Sequence, residues 1–162
     1  MRKNGVMTNG KFEGLMHIAN AKCQFTIVAT DQRGSLRRML RPDDPKSVTP
    51  EEMKEAKLAL IKNLVGKESE GRASGVLIDP EYCYERRFIE ACNIRADVGI
   101  LMSVEASGYG GQGEFAPKVQ IFWGLDVEDA VRRIKGRGAA AVKMLVYYRP
   151  DSPTRDYQES MI

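Results

Sequence analysis

The residues of this chain best suited to chemistry are one lysine, several carboxylates and an arginine that recur at the ends of apolar runs. Asp31, Gln32 and Arg33 follow a run at 24–30, Asp79 and Glu81 follow one at 75–78, and Glu105 follows one at 98–104. Lys143 lies inside a fourth run, between Val142 and Met144. A lysine there must bury its charge, extend its stem to water, or meet a carboxylate. Two readings stay open. In the plain one the ammonium reaches the end of its strand and pairs structurally. In the chemical one it points into a site, where lost hydration lowers its pKa and carboxylates hold it charged, with Asp31 the natural partner. As a free amine it could form a Schiff base; as a cation it could position an alkoxide or a carbonyl oxygen. Arg33 and Gly34 open a predicted short helix at 35–40, and a helix start beside an arginine suits an anion such as phosphate. Asp31 and Ser35 serving only as caps for that helix is the equal alternative.

These side chains need a scaffold, and the sequence supplies alternating strand and helix signals. The run at 24–30 is β-branched, and a polar, proline-bearing stretch at 41–50 follows the short helix. Thr49 as N-cap, Pro50 at the first position and Glu52 closing a capping box predict a helix over 50–66. Its apolar stripe is read as Met53, Ala56, Leu58, Leu60, Ile61 and Leu64. A second helix is predicted over 83–93, with Phe88, Ile89 and Cys92 inward. A third covers 127–137, capped by Asp126, striped by Val127, Ala130, Val131 and Ile134, and ended by Gly138. The fourth strand is expected over 139–148, and a further helix opens at Asp151. Strands that are apolar throughout, without alternation, belong in a parallel sheet buried on both faces. Ligands of such sheets sit at the C-terminal strand ends, where the chemical residues fall here. Periodicity alone leaves a doubly wound sheet and half of an eight-stranded barrel equally open. The glycine-rich stretch at 107–113 matches no phosphate-loop pattern and reads as a plain loop in preference to an active-site flap.

Composition narrows the function. The chain has 162 residues, 43% hydrophobic and 29% charged, which suits one globular domain over 1–162. A net charge of +3 is spread along it; Arg2-Lys3 and the Arg37, Arg38, Arg41 cluster fall short of a nucleic-acid-binding block. Cys23, Cys83 and Cys92 show no C-x-x-C spacing, and His17 is the single histidine, so no metal site is proposed. The cysteines read as reduced thiols, and His17 as a surface or helix-packing residue. No apolar run approaches a membrane span and no signal-peptide core opens the chain, so a cytoplasmic protein is expected.

Four segments together resemble one family. Ala29-Thr30-Asp31-Gln32-Arg33-Gly34-Ser35 is similar to the segment after the first strand of the tagatose 1,6-bisphosphate aldolases. Leu77-Ile78-Asp79-Pro80-Glu81-Tyr82, Glu105-Ala106-Ser107-Gly108-Tyr109 and Ala141-Val142-Lys143-Met144-Leu145 resemble its second, third and fourth strand motifs, in the same order. Sulfofructose-phosphate aldolases share a looser version. The resemblance implies an α/β fold of the (β/α)8 TIM-barrel type, of which this chain supplies about the first four βα units. It implies a class I, Schiff-base lyase without metal or cofactor, releasing dihydroxyacetone phosphate from a phosphorylated ketose. It places Asp31 and Lys143 at the reacting centre and Gln32 and Arg33 at a substrate phosphate; Asp79 and Glu105, at the ends of the second and third strands, are expected as further substrate contacts. In that family the Schiff-base lysine lies on the sixth strand, for which this chain has no counterpart. The chain is therefore expected to be an incomplete catalyst by itself, and open sheet edges favour homo-oligomers. The alternatives weighed are a non-catalytic sugar-phosphate-binding or regulatory protein, and a small flavodoxin-like domain, for which a fifth strand is missing.

Overall fold

A computed structural model describes residues 6–110 and 118–161 of the chain. Arg2, Lys3 and the glycine-rich positions Gly111, Gln112 and Gly113 lie outside the described residues. The centre is a parallel sheet of β1 (Ile27–Ala29), β2 (Gly75–Ile78), β3 (Gly99–Ser103) and β6 (Ala141–Lys143), adjacent in that order. These are the four expected strands, and their spatial order follows the chain without reversal. The register pairs Val28 with Val76, Val76 with Ile100, and Met102 with Val142. β2 is buried along its whole length, as an apolar strand flanked on both sides should be.

The helices divide by what caps them. α3 (Pro50–Val65) starts on the full capping box of Thr49 and Glu52, and α6 (Val127–Lys135) starts on Asp126, which accepts from the Asp129 N–H. The short α2 (Gly34–Leu40) leads into a 3₁₀ turn at Pro45–Ser47. The helix expected over 83–93 is two pieces, α4 (Pro80–Cys83) and α5 (Arg86–Cys92). Asp79 caps the first with Pro80 at its opening position, and the chain is redirected at the extended Glu85 before α5 begins. α7 (Arg155–Ser160) follows the last strand. Met53, Ile61 and Val65 of α3 pack with Val76, Ile78, Cys83, Cys92, Met102 and Ile134 in one core.

Three features depart from the expected pattern. The first is α1 (Asn9–His17), capped by Thr8, which lies across the N-terminal ends of the sheet. The Ser74 hydroxyl donates to the Ile18 carbonyl at 2.7 Å, and Gly14 and Gly99 allow the backbones to meet. The second is an antiparallel pair, β4 (Glu105–Gly110) with β5 (Lys118–Ile121), so Ser107 and Gly108 stand in a strand and not in a plain loop. Its glycine-rich strand carries no alternation, which is why periodicity misses it. The third is the fourth strand, which keeps only three of the residues expected over 139–148. β6 pairs with β3, and β3 gives way to the β4–β5 ribbon at Val104, whose N–H donates to the Lys143 carbonyl at 3.0 Å. Beyond Lys143 the chain has no ladder to join. Among the described residues no helix is long and apolar enough to cross a membrane.

The α1 contact is testable at Gly99. A Cβ there would stand 2.3 Å from the His17 carbonyl oxygen and 2.7 Å from Ile18 Cγ2, whereas one at Gly10 meets nothing within 4 Å. Gly99→Ala is expected to lower stability by about 1–3 kcal/mol. Gly10→Ala, in a helix with open space, should be neutral or gain up to about 1 kcal/mol. Urea unfolding of the two variants checks this, and equal effects would remove the close packing of α1 on β3.

Candidate active site

The first three strands of the parallel sheet deliver polar residues at their C-terminal ends because their apolar residues end there, and the fourth stops at Lys143 within its apolar run. Asp31 stands two residues beyond β1, Glu105 opens β4 directly after β3, and Lys143 is the last residue of β6. Topology brings these three together across more than a hundred residues of sequence. The Lys143 ammonium donates to Asp31 Oδ2 at 3.2 Å and to Glu105 Oε1 in a shorter contact. Glu105 also accepts the Leu145 N–H at 3.4 Å through its other oxygen, which ties the chain after β6 to the same carboxylate. Asp31 and Glu105 are largely shielded from water, while 34% of the Lys143 side chain stays accessible.

The electrostatics of this trio follow from that geometry. Burial by itself lowers the Lys143 pKa, but the hydrogen bond donated to Glu105 and the charges of Glu105 and Asp31 outweigh it. The ammonium is held above the ordinary lysine value, so at neutral pH this nitrogen carries a proton and no free lone pair. Of the two chemical roles left open by the sequence, the cationic one fits this environment.

Arg33 reaches the same end of the sheet, and its partners are protein groups. Its guanidinium donates to Ser107 Oγ at 2.8 Å, to the Glu105 carbonyl at 3.0 Å and to Ser103 Oγ at 3.3 Å, and lies 4.9 Å from the Phe122 ring centre. The Ser107 hydroxyl passes on to Glu81 Oε2 at 3.1 Å. Arg33 thus straps the top of β1 to β3 and β4. Gln32 is exposed, with its amide donating to the Ala29 carbonyl at 3.2 Å.

Asp79 is not with the others. Its side chain is 0% exposed and faces inward to Lys57, whose ammonium lies 2.6 Å from Asp79 Oδ2 and is equally sealed from water. The other oxygen, Oδ1, accepts the Tyr82 N–H at 3.0 Å as the cap of α4. Burial pushes this carboxyl above the usual aspartate range, against the pull of the Lys57 charge. Lys57 is the residue that sequence reasoning passed over. The buried stripe of α3 is Met53, Lys57, Ile61 and Val65, while Leu60 and Leu64 are 41% and 40% exposed. The signal was present: Lys57 occupies the four-residue step between Met53 and Ile61. The pairing of such a lysine is not readable along the chain, because Asp79 lies on another element.

The remaining reactive groups stand apart. Cys23 is exposed, whereas Cys83 and Cys92 are buried thiols whose pKa is raised by burial, that of Cys92 to about 11. Among the described residues no three His, Cys, Asp or Glu side chains converge as a metal ligand set.

Comparison with known proteins places this arrangement. Residues 25–161 match the model of the DeoC/LacD family aldolases. The chain is 35% identical over 150 residues to a tagatose 1,6-diphosphate aldolase of Listeria monocytogenes, covering 91% of this chain and 39% of that protein. A Listeria innocua protein of the same name matches to the same extent. It is 37% identical over 127 residues to tagatose 1,6-diphosphate aldolase 2 of Streptococcus pyogenes, covering 78% of this chain and 34% of that one. The chain therefore spans about two fifths of the length of the curated relatives it matches. With the matched segment running from the start of β1 to the last helix, the chain belongs to the DeoC/LacD aldolase family.

Proposed function

We propose that the protein cleaves a ketose 1,6-bisphosphate of the tagatose type by class I retro-aldol chemistry, yielding dihydroxyacetone phosphate and an aldehyde phosphate. The observation that carries this reading is the Lys143 ammonium held between Asp31 and Glu105 at the C-terminal ends of parallel strands. The sheet is read as part of a (β/α)8 barrel. A strand order that follows the chain supports this, since a doubly wound sheet reverses its order at a switch point.

The chemistry assigns distinct jobs to the groups present. Cleavage breaks the bond between the third and fourth carbons, with the proton of the C4 hydroxyl leaving and the electron pair retained on the ketone half. A class I route stores that pair as an enamine, after a lysine amine has condensed with the C2 carbonyl and released water. Lys143, protonated and flanked by two carboxylates, suits the role of a fixed cation that orients the substrate oxygens and steadies charge developing there. Asp31, the more accessible of the two carboxylates on that ammonium, is placed to accept or return a proton. The imine-forming amine is accordingly a lysine other than Lys143. Gln32 and the helix start beside Arg33 are assigned to the substrate's phosphate, with Arg33 acting through Ser107 and Glu105 as it is bonded here.

Activity and trapping experiments, and a second measurement of stability, test the reading. In a coupled assay for dihydroxyacetone phosphate with tagatose 1,6-bisphosphate, Lys143→Met and Asp31→Asn are expected to cut kcat by about 10²–10⁴-fold. Borohydride treatment with dihydroxyacetone phosphate should leave the Lys143 peptide at its unmodified mass. An adduct on Lys143 would show it to be the nucleophile, and tight phosphosugar binding without cleavage would favour a non-catalytic sugar-phosphate-binding protein. The second measurement follows stability against pH. A lysine whose folded pKa is raised contributes stability that is complete below the unfolded value of about 10.4 and is lost above it. Denaturant titrations should therefore show the wild type losing more stability than Lys143→Met as pH rises past about 10.4. Parallel losses would mean that the ammonium gains nothing from Asp31 and Glu105.

A further inference from the structure

Lys57 sits where an apolar side chain would be expected, sealed beneath α3 between Met53 and Ile61. An ammonium has three protons to donate, and here all three have acceptors. They are the Thr30 carbonyl at 2.7 Å, the Gln32 carbonyl at 2.7 Å and Asp79 Oδ2 at 2.6 Å. The two carbonyls belong to the residues on either side of Asp31. The Thr30 carbonyl belongs to the peptide that leads into Asp31 and the Gln32 carbonyl to the peptide just beyond Gln32, so bonding both pins the backbone before and after Asp31 and thereby limits the direction in which its carboxylate leaves it. That carboxylate is the one that reaches Lys143. Asp79 is in turn fixed by the first turn of α4, so the lysine is anchored to β2 and α3 while it grips the end of β1.

We propose that Lys57 is a positioning residue of the active site, which with Asp79 holds the backbone around Asp31 so that its carboxylate meets Lys143. The claim that this affects turnover rests on the reading of Asp31 and Lys143 as the reacting centre; the claim that it sets their contact does not. Neither Lys57 nor Asp79 touches the trio directly. The structure therefore assigns Asp79 a place behind the site and not against substrate.

Removing one member of a buried pair strands the other charge, so single variants risk unfolding. Paired replacements avoid that: Lys57→Met with Asp79→Leu removes both charges and every donor, and Lys57→Gln with Asp79→Asn removes the charges but keeps donors for the carbonyls. The first readout is kcat with tagatose 1,6-bisphosphate. The Met/Leu pair is expected to lose about tenfold or more in kcat with little change in KM, and the Gln/Asn pair to recover part of it. The second readout needs no substrate. It follows the Lys143 Nζ resonance against pH by proton–nitrogen NMR, where Asp31 and Glu105 are the charges facing that nitrogen. With Asp31 released, Lys143 should titrate at lower pH in the Met/Leu pair than in wild type, and nearer wild type in the Gln/Asn pair. A folded double variant in which neither kcat nor the Lys143 titration moves would overturn the proposal. Should the wild type itself fail to cleave the sugar, the functional reading falls, and the titration alone then decides whether Lys57 positions Asp31.

Discussion

The arrangement rests on a charge pair that no water reaches. Stripping hydration from an ammonium and a carboxylate costs on the order of several kcal/mol for each, and their attraction repays this only when the remaining donors and acceptors are also satisfied. Lys57 and Asp79 meet that condition through two backbone carbonyls and one backbone N–H. The result is directional in a way that an apolar contact is not. Methyl groups at this point would fill the same space and leave the end of β1 free to choose among several conformations. The lysine also lies 5.8 Å from the Tyr82 ring centre, and the Tyr82 hydroxyl takes a hydrogen bond from Arg37 at 2.8 Å. Arg37 donates as well to the Val48 carbonyl at 2.7 Å, so α2 and the approach to α3 are bound to the same node.

From that node the organisation runs upward to the strand ends. A parallel sheet places all its C-terminal ends on one side, and each connecting segment must leave from there. The chain uses that edge for charge. Lys143 lies between two carboxylates, and Arg33 binds the backbone and the two serines beside them. The trio alone carries one net negative charge, and the nearby guanidinium offsets it. Such a balance keeps the ammonium protonated while leaving part of it accessible, which suits a cation that acts on a substrate oxygen better than an amine that attacks a carbon. The opposite edge is closed by α1 through contacts between backbones, a role for which small residues at Gly14 and Gly99 are needed. The charged cluster and the backbone contacts of α1 thus sit at opposite ends of the same strands.

How much of this was legible depended on how local the cause was. The capping box at Thr49 and the Asp126 cap are complete within four residues, and both helices begin where those signals stand. β2 is written entirely in four apolar residues and appears with those bounds. The positions of Asp31 and Glu105 follow from where apolar runs stop, whereas Lys143 ends its strand only because β3 gives way there, and the four short motifs were enough to mark the family. The β4–β5 ribbon escaped because its stabilising bonds connect segments without alternation. The division of the helix expected over 83–93 escaped because α4 is set by the Asp79 cap, whose carboxylate is held by the buried Lys57, and not by the helical period.

What the sequence determined by itself was therefore the alternation of strand and helix, the charged residues at the strand ends and the family to which they point. Each depends on neighbours a few residues away, and such information is carried by the order of side chains. Only the tertiary structure decided which carboxylates share Lys143, that Arg33 binds serines of β3 and β4, and that Asp79 turns inward to Lys57. Those outcomes depend on distances between segments separated by tens of residues. The cost of burying a charge selects a partner for it only once the strands have been brought side by side.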